Sequence, residues 1–277
     1  MRSTLGLLVL VAVAAAAPAA DERDALARAR GAYNQARFDE AIADARLALE
    51  VPADAHAARL VLARALLERY RERAEPGDLS EGRDMLRAID ADRLSAPDRA
   101  ELVVGLGQWL FFTDRFGAAA ELFASALADP ALDGDGRDRL LDWWASAIDR
   151  QAQSGTASRT ALYARILERM DRELAEEPAS VAASYWVVAA ARALGDFERA
   201  WQAALAGWVR ATLLGDAGEA LRADLDRLVL TAVIPDRARA AAGTRGSQRE
   251  AADTMVTEWE RFKVEWEPAP SGSTSRR

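Results

Sequence analysis

The stretch VGLGQWLFFTDRFGAAAELFASALADP, Val104–Pro130, decides the fold. Just before it, Ser95-Ala96-Pro97-Asp98 places a hydroxyl, a proline and an acid where a helix starts. Val103, Leu106, Gly107 and Leu110 follow at spacings of three and four, which sets them on one helical face. Thr113-Asp114-Arg115 breaks that period. Phe116, Ala119, Ala120, Phe123, Ala126 and Leu127 then define a second face, which Pro130 closes. The pattern predicts two antiparallel helices joined by a tight bend. Gly107 and Ala119 lack bulk and let the two helices approach closely. Phe116 and Phe123 project beyond the pair. Burying each ring contributes roughly 2–3 kcal/mol, which a lone hairpin cannot collect, so the hairpin needs a neighbour.

The same signature of a turn, an aromatic residue, two further residues and a small one recurs along the chain. It appears as Phe38, Ala41, Ala48 and Pro52, and again as Phe197, Ala200, Ala204 and Gly207. Weaker copies place Leu79 with Gly82, and Tyr163 with Ile166, Met170 and Leu174. The anchors Phe38, Leu79, Phe116, Tyr163 and Phe197 lie, by subtraction, 41, 37, 47 and 34 residues apart. These spacings match helix–turn–helix repeats of about 34–47 residues. The segments RYRERAEPGD (69–78) and RQAQSGTASR (150–159) are expected to lengthen two of the turns.

Over residues 22–213 the chain resembles the tetratricopeptide-repeat (TPR) family. The third unit carries the resemblance best, through Leu106-Gly107, Leu110, Phe116, Ala119, Phe123 and Ala126-Leu127, with Pro130 one place early. The fifth matches through Gly195-Asp196-Phe197 and Ala200, with Gly207-Trp208 where Ala-Leu is usual. The second and fourth units match poorly. The resemblance implies an all-α, right-handed α-solenoid whose concave groove, lined by the first helix of each unit, takes an extended peptide or a partner helix. Carried over unit by unit, the groove positions are Glu101, Val104, Gln108, Phe111 and Phe112 in the third, Tyr185, Ala189 and Arg192 in the fifth, and Leu26, Arg30, Tyr33 and Asn34 in the first. Some members clamp a terminal carboxylate with Lys and Asn; Leu26 and Arg30 stand at the matching places of the first unit, which argues against that clamp. For the adjacent rings Phe111 and Phe112 two placements are open. Either one of them faces the groove or the turn, or both are covered by the segment Arg71–Asp78.

Beyond the array, residues 214–242 read as a capping helix, with Leu221, Leu225, Leu228, Val229 and Ala232 on one face and Pro235 as its stop. Residues 243–267 read as a last helix carrying Met255, Trp259, Phe262 and Trp266 as a stripe. Trp259, Phe262 and Trp266 either dock on the last helix pair and seal the array or form an exposed aromatic ridge for a partner or a lipid surface. Residues 268–277, rich in Ser, Gly, Pro and Arg, read as a disordered tail.

The amino terminus gives an address. Arg2 precedes an apolar run from Leu5 to Ala17, and Ala17-Pro18-Ala19 offers small residues at a signal-peptidase spacing. A helix of that run would be about 20 Å long, short of the ~30 Å hydrocarbon core. Residues 1–20 therefore read as a signal peptide of an exported, periplasmic or secreted protein; an uncleaved anchor is the alternative.

Composition narrows the chemistry. Among 277 residues there are 36 basic and 44 acidic ones, a net charge of −8, with no block of basic residues to mark a nucleic-acid surface. With no cysteine and a single histidine, His56, thiol catalysis and Cys- or His-pair metal sites are not available. Asp133, Asp135 and Asp138 crowd a short segment but lack the length and terminal Glu of a calcium loop, and read as turn caps. Gly105 and Gly107 sit within a helical pattern with no preceding strand, so they do not cradle a phosphate. No cofactor or catalytic set is expected. The expected function is a noncatalytic scaffold for protein–protein contact in envelope assembly or secretion. Two rivals are a cell-wall glycan hydrolase or lyase using paired carboxylates, and a membrane-peripheral protein using the C-terminal aromatic helix.

Overall fold

The architecture was taken from a computed structural model, which describes residues 20–129, 132, 134–155, 157–242 and 247–266. The expected signal peptide, Pro130, Asp133 and the expected tail fall outside the described residues, as do residues 243–246 between the last two helices. The fold is all-helical, with no strand among the described residues. Five hairpins occupy the expected array: α1 (Ala20–Asn34) with α2 (Phe38–Ala48), α3 (Ala55–Arg73) with α4 (Pro76–Arg87), α5 (Ala96–Phe112) with α6 (Phe116–Ala126), α7 (Gly134–Gln153) with α8 (Arg159–Glu176), and α9 (Val181–Ala193) with α10 (Phe197–Leu213). After them come α11 (Glu219–Leu228), α12 (Ile234–Ala242) and α13 (Gln248–Glu265). Contacts gather into two units, one ending at Gly105 and one starting at Leu106.

The three hairpins with the clearest sequence signature share one bend. Ala36, Asp114 and Gly195 adopt left-handed backbone, with φ of 56°, 60° and 81°. In each, the next residue's N–H reaches back five residues: Arg37 to Ala32 O, Arg115 to Leu110 O and Asp196 to Ala191 O, at 2.9, 2.9 and 3.0 Å. The left-handed residue itself donates to the carbonyl three residues back. This is the Schellman closure, which satisfies carbonyls that a helix end leaves free. The aromatic anchor follows two residues after the left-handed one, so the bend fixes where its ring emerges. The small residue three places on, Ala41, Ala119 or Ala200, has no exposed surface. The second and fourth hairpins bend differently, at Ala74 and Gly155.

Two expected turns turn out to be partly helical. Tyr70–Arg73 forms the last turn of α3, and Pro76 opens α4 at its first position, leaving only Ala74 and Glu75 between them. Arg150–Gln153 likewise belongs to α7. Pro235 does not stop the capping helix either. Val229–Val233 forms a π-helical turn, and α12 continues through Pro235 to Ala242. A normal turn would press the proline ring against the Thr231 carbonyl and leave that carbonyl without its donor; the wider turn relieves both problems.

In the first unit α1, α2, α3 and α4 pack in chain order, and α1 also reaches α3. Their core is built from small and branched residues, among them Ala29, Ala32, Ala41, Ile42, Leu62 and Leu66. A buried pair ties α4 to α3: Arg69 donates to both oxygens of Asp78 at 2.8 and 2.7 Å, and Asp78 is 6% exposed. Arg69 and Arg73 also donate to Asp39 of α2, and these two guanidiniums, Arg73 foremost, hold its carboxyl down to about 2.

In the second unit Gly107 of α5 faces Phe123 of α6 so closely that a β-carbon there would lie 2.5 Å from the ring. Phe123 is fully buried and meets Trp143 of the following hairpin at 5.9 Å between ring centres. Chain-order packing runs from α6 to α11; the first helices α7 and α9 also meet each other, and α9 meets α11.

Two outcomes follow for thermal or denaturant unfolding. Ala36→Gly removes a β-carbon from left-handed backbone and is expected to raise stability by about 0.5–1 kcal/mol, net of the added freedom of the unfolded chain. Gly107→Ala drives a methyl group into a ring with no free volume around it. Its expected cost is about 1–2 kcal/mol, despite alanine's better helix propensity.

Candidate functional site

The candidate groove residues divide into three groups. In the first unit, Tyr33 of α1 and Glu101 of α5 are drawn together by Arg64 of α3, and Arg30 of α1 reaches α5 separately. The Arg64 guanidinium lies 4.9 Å over the Tyr33 ring and pairs with Glu101. Arg30 pairs with Asp98 at 2.8 Å. Leu26 packs against the apolar core instead of facing outward, Asn34 is exposed at the end of α1, and Val104 is half-buried.

The remaining third-unit candidates serve packing. Gln108 is fully buried and does not line a groove. Adjacent helical residues differ by about 100° in direction, and Gly107, by admitting Phe123, draws this side of α5 inward. Phe111 and Phe112 are both half-buried and meet Trp143 edge-on, at 5.2 and 5.7 Å, while Phe111 also meets Phe116 at 5.3 Å. Their partner is the hairpin that follows.

The fifth-unit candidates do converge. Tyr185, Ala189 and Arg192 line a cleft of about 380 Å³ together with Asp149 and Gln153 of α7, Arg159 and Tyr163 of α8, Trp186 and Ala193 of α9, and Leu228 at the end of α11. Most of its lining comes from α7 and α9, the first helices of the fourth and fifth hairpins. Small side chains at Ala189 and Ala193, one turn apart, leave the hollow.

The polar groups of the cleft are held in defined states. The Tyr163 hydroxyl donates to Asp149 Oδ1 at 2.6 Å, and the Gln153 amide donates to Oδ2 at 2.6 Å. Burial, with the hydrogen bond to the Asp149 carboxylate second, pushes the Tyr163 hydroxyl up to about 12. Burial also raises the Tyr185 hydroxyl, helped by the charges of Asp224 and Asp142. Arg192 donates from Nε to Asp236 at 2.8 Å and makes a second contact through its terminal nitrogen. Trp186 donates its indole N–H to Asp142 at 2.8 Å. The Arg159 guanidinium lies 5.4 Å over the Tyr163 ring.

Sequence reasoning did not find Asp149, Gln153, Arg159 or Leu228 as cleft residues, and it gave Tyr163 a packing role only. No local signal exists for the first four: they join the cleft through contacts between residues far apart in the chain.

The C-terminal stripe separates into inside and outside. Trp259 is fully buried between Trp201 and Trp208, at 6.0 and 5.4 Å, and donates to Asp226 at 2.8 Å. Lys263 donates to the same carboxylate at 2.6 Å. Trp259 therefore takes no part in an exposed ridge. Phe262 is half-buried against it, and Trp266 is 40% exposed.

The acidic segment 133–138 is also structural where it is described. Asp138 accepts from the backbone N–H of Val181 and Ala182 at 2.9 and 3.1 Å and from the Ser180 hydroxyl, so it caps α9, more than forty residues away. Arg137 beside it grips the buried Glu173 through two bonds of 2.6 and 2.9 Å. No metal-holding cluster occurs among the described residues. His56 Nδ1 accepts from the Asp90 backbone N–H at 3.0 Å.

The Tyr163–Asp149 contact makes a pH-dependent contribution to stability. A hydroxyl whose folded pKa is raised from 10.0 to about 12 stabilises the fold fully below pH 10, and this part is lost as pH rises through 12. In Tyr163→Phe that alkaline loss should shrink, and at neutral pH the variant should be about 1 kcal/mol less stable for want of the hydrogen bond. Chemical unfolding at a series of pH values checks both. No family model, curated protein or solved structure matches the chain.

Proposed function

We propose that this chain is an exported, noncatalytic scaffold that binds a protein segment, and that the α7–α9–α11 cleft is where the segment docks. The observation that carries this reading is the lining of the cleft. It is walled mainly by consecutive first helices, the side on which tetratricopeptide-like arrays hold their partners. It also combines aromatic walls with a few fixed polar groups, the composition of a recognition site. A right-handed winding of the hairpins belongs to the same proposal. The apolar run Leu5–Ala17 supports export, and a role in envelope assembly or secretion follows from combining that address with this fold. No helix among the described residues is long and apolar enough to cross a membrane.

A photo-crosslinking amino acid at Gln153, exposed on the cleft rim, tests the reading in the full-length protein expressed in its own cells. The matched control is Glu168, an exposed residue of α8 that does not line the cleft. Illumination should yield a discrete protein adduct from position 153 and not from 168. Equal adducts from both positions, or none from 153, would refute the docking site.

A further inference from the structure

The cleft has an uneven distribution of charge. Two arginines line it, yet neither is free to dominate it. Arg192 is paired with Asp236, a carboxylate it shares with Arg239 at 2.7 Å, so its position is fixed while its charge is only partly offset. Arg159 is spread over the face of Tyr163. Asp149 is in a different state. Its two hydrogen bonds come from neutral donors, the Tyr163 hydroxyl and the Gln153 amide, so they orient the carboxylate without cancelling its charge. Each oxygen keeps a second lone pair for a further donor.

The neighbourhood of Tyr185 leans the same way. Asp224, then Asp142 and, more weakly, Asp149 act on its hydroxyl as negative charges, with Arg227 opposing them. Tyr185 is half-buried and lines the cleft beside Trp186, the two rings meeting edge to face at 5.5 Å. A ring face next to an unneutralised carboxylate attracts a cation twice, through the ring quadrupole and through the charge. The chain shows this preference itself, since Arg159 already rests on a tyrosine of the same wall. The whole protein, at −8, favours approach of a basic partner.

We infer that the cleft receives a basic side chain, arginine or lysine, from the docked protein segment, seated against Tyr185 and hydrogen-bonded to Asp149. This inference rests on the docking reading above and narrows it to one partner chemistry. Arg159, whose charge opposes the incoming cation, is the competitor that keeps binding of a single side chain weak.

The test is a titration of the full chain, followed by NMR of its tyrosine and tryptophan side chains. The probe is N-acetyl-argininamide, with N-acetyl-leucinamide and N-acetyl-aspartamide as comparisons. The arginine probe should saturate with a dissociation constant on the order of 1–10 mM, and the other two should not. Asp149→Asn keeps the shape and acceptor of the carboxylate and should weaken the arginine probe about tenfold, the usual value of one charge-assisted contact. Arg159→Gln, at an exposed position, should tighten it about threefold through loss of like-charge repulsion. It keeps the test decisive if Asp149→Asn lowers the melting temperature. Tighter binding of the aspartate probe, arginine binding indifferent to both substitutions, or no arginine binding would overturn the inference. Cross-linking separates this failure from the wider one. An adduct from position 153 whose partner segment has no Arg or Lys at the contact sinks the basic-side-chain inference alone, whereas the absence of any adduct sinks the docking reading.

Discussion

A helical hairpin buries one side of each of its helices, and the rings left over at its bend need cover that only another hairpin can give. In the second unit that cover is Trp143. It meets Phe111, Phe112 and Phe123 from one position on α7, so the third hairpin and the fourth cannot be packed independently. The arrangement depends on Gly107, which lets Phe123 lie between the helices of its own hairpin while still touching the next. At the other end of the unit α13, packed on α12, supplies Trp259 against Trp201 and Trp208, and so does for the fifth hairpin what Trp143 does for the third. The sole lysine of the chain, Lys263, shares Asp226 with the Trp259 indole and so fixes the angle at which α13 is seated.

Polar contacts between elements use a few carboxylates, each serving several donors. Asp78 holds Arg69, Glu173 holds Arg137, Asp138 caps α9, and Asp226 receives both an indole and an ammonium. Asp78 and Glu173 are buried, and there losing a partner leaves an uncompensated charge and costs far more than breaking an exposed pair. Apolar cover supplies the attraction between hairpins, and these bonds select the register in which it is made.

The same packing logic explains why the groove positions of α5 and α9 have different fates. On α5 the adjacent rings Phe111 and Phe112 are committed to Trp143, and Gln108 turns inward beside Gly107. On α9 the corresponding stretch carries Ala189 and Ala193, which fill nothing. Tyr185, Trp186 and Arg192 then border a hollow, and Asp149 and Tyr163 from the preceding hairpin close it. A hollow remains here because two side chains are too small to fill it.

By itself the sequence determined the helical class, the five hairpins and three of their bends, because those depend on local chemistry. Left-handed backbone at Ala36, Asp114 and Gly195, the ring two residues on and the small residue three further are all set within a dozen positions. It also marked Tyr185, Ala189 and Arg192, as the groove positions that the tetratricopeptide-repeat resemblance implies. Only the tertiary structure decided that Gln108 is buried, that Trp259 lies inside and Trp266 partly outside, that Asp138 caps a helix of the next hairpin, and that Asp149 joins Tyr163 in the cleft. Sequence spacing also misplaced the end of the capping helix at Pro235, since a π turn that widens the backbone has no signature in residue types. The physical reason is common to these cases. Helical periodicity fixes the direction of a side chain relative to its own axis, while what it meets depends on contacts between residues from 14 (Asp149 with Tyr163) to 58 (Trp201 with Trp259) apart in the chain.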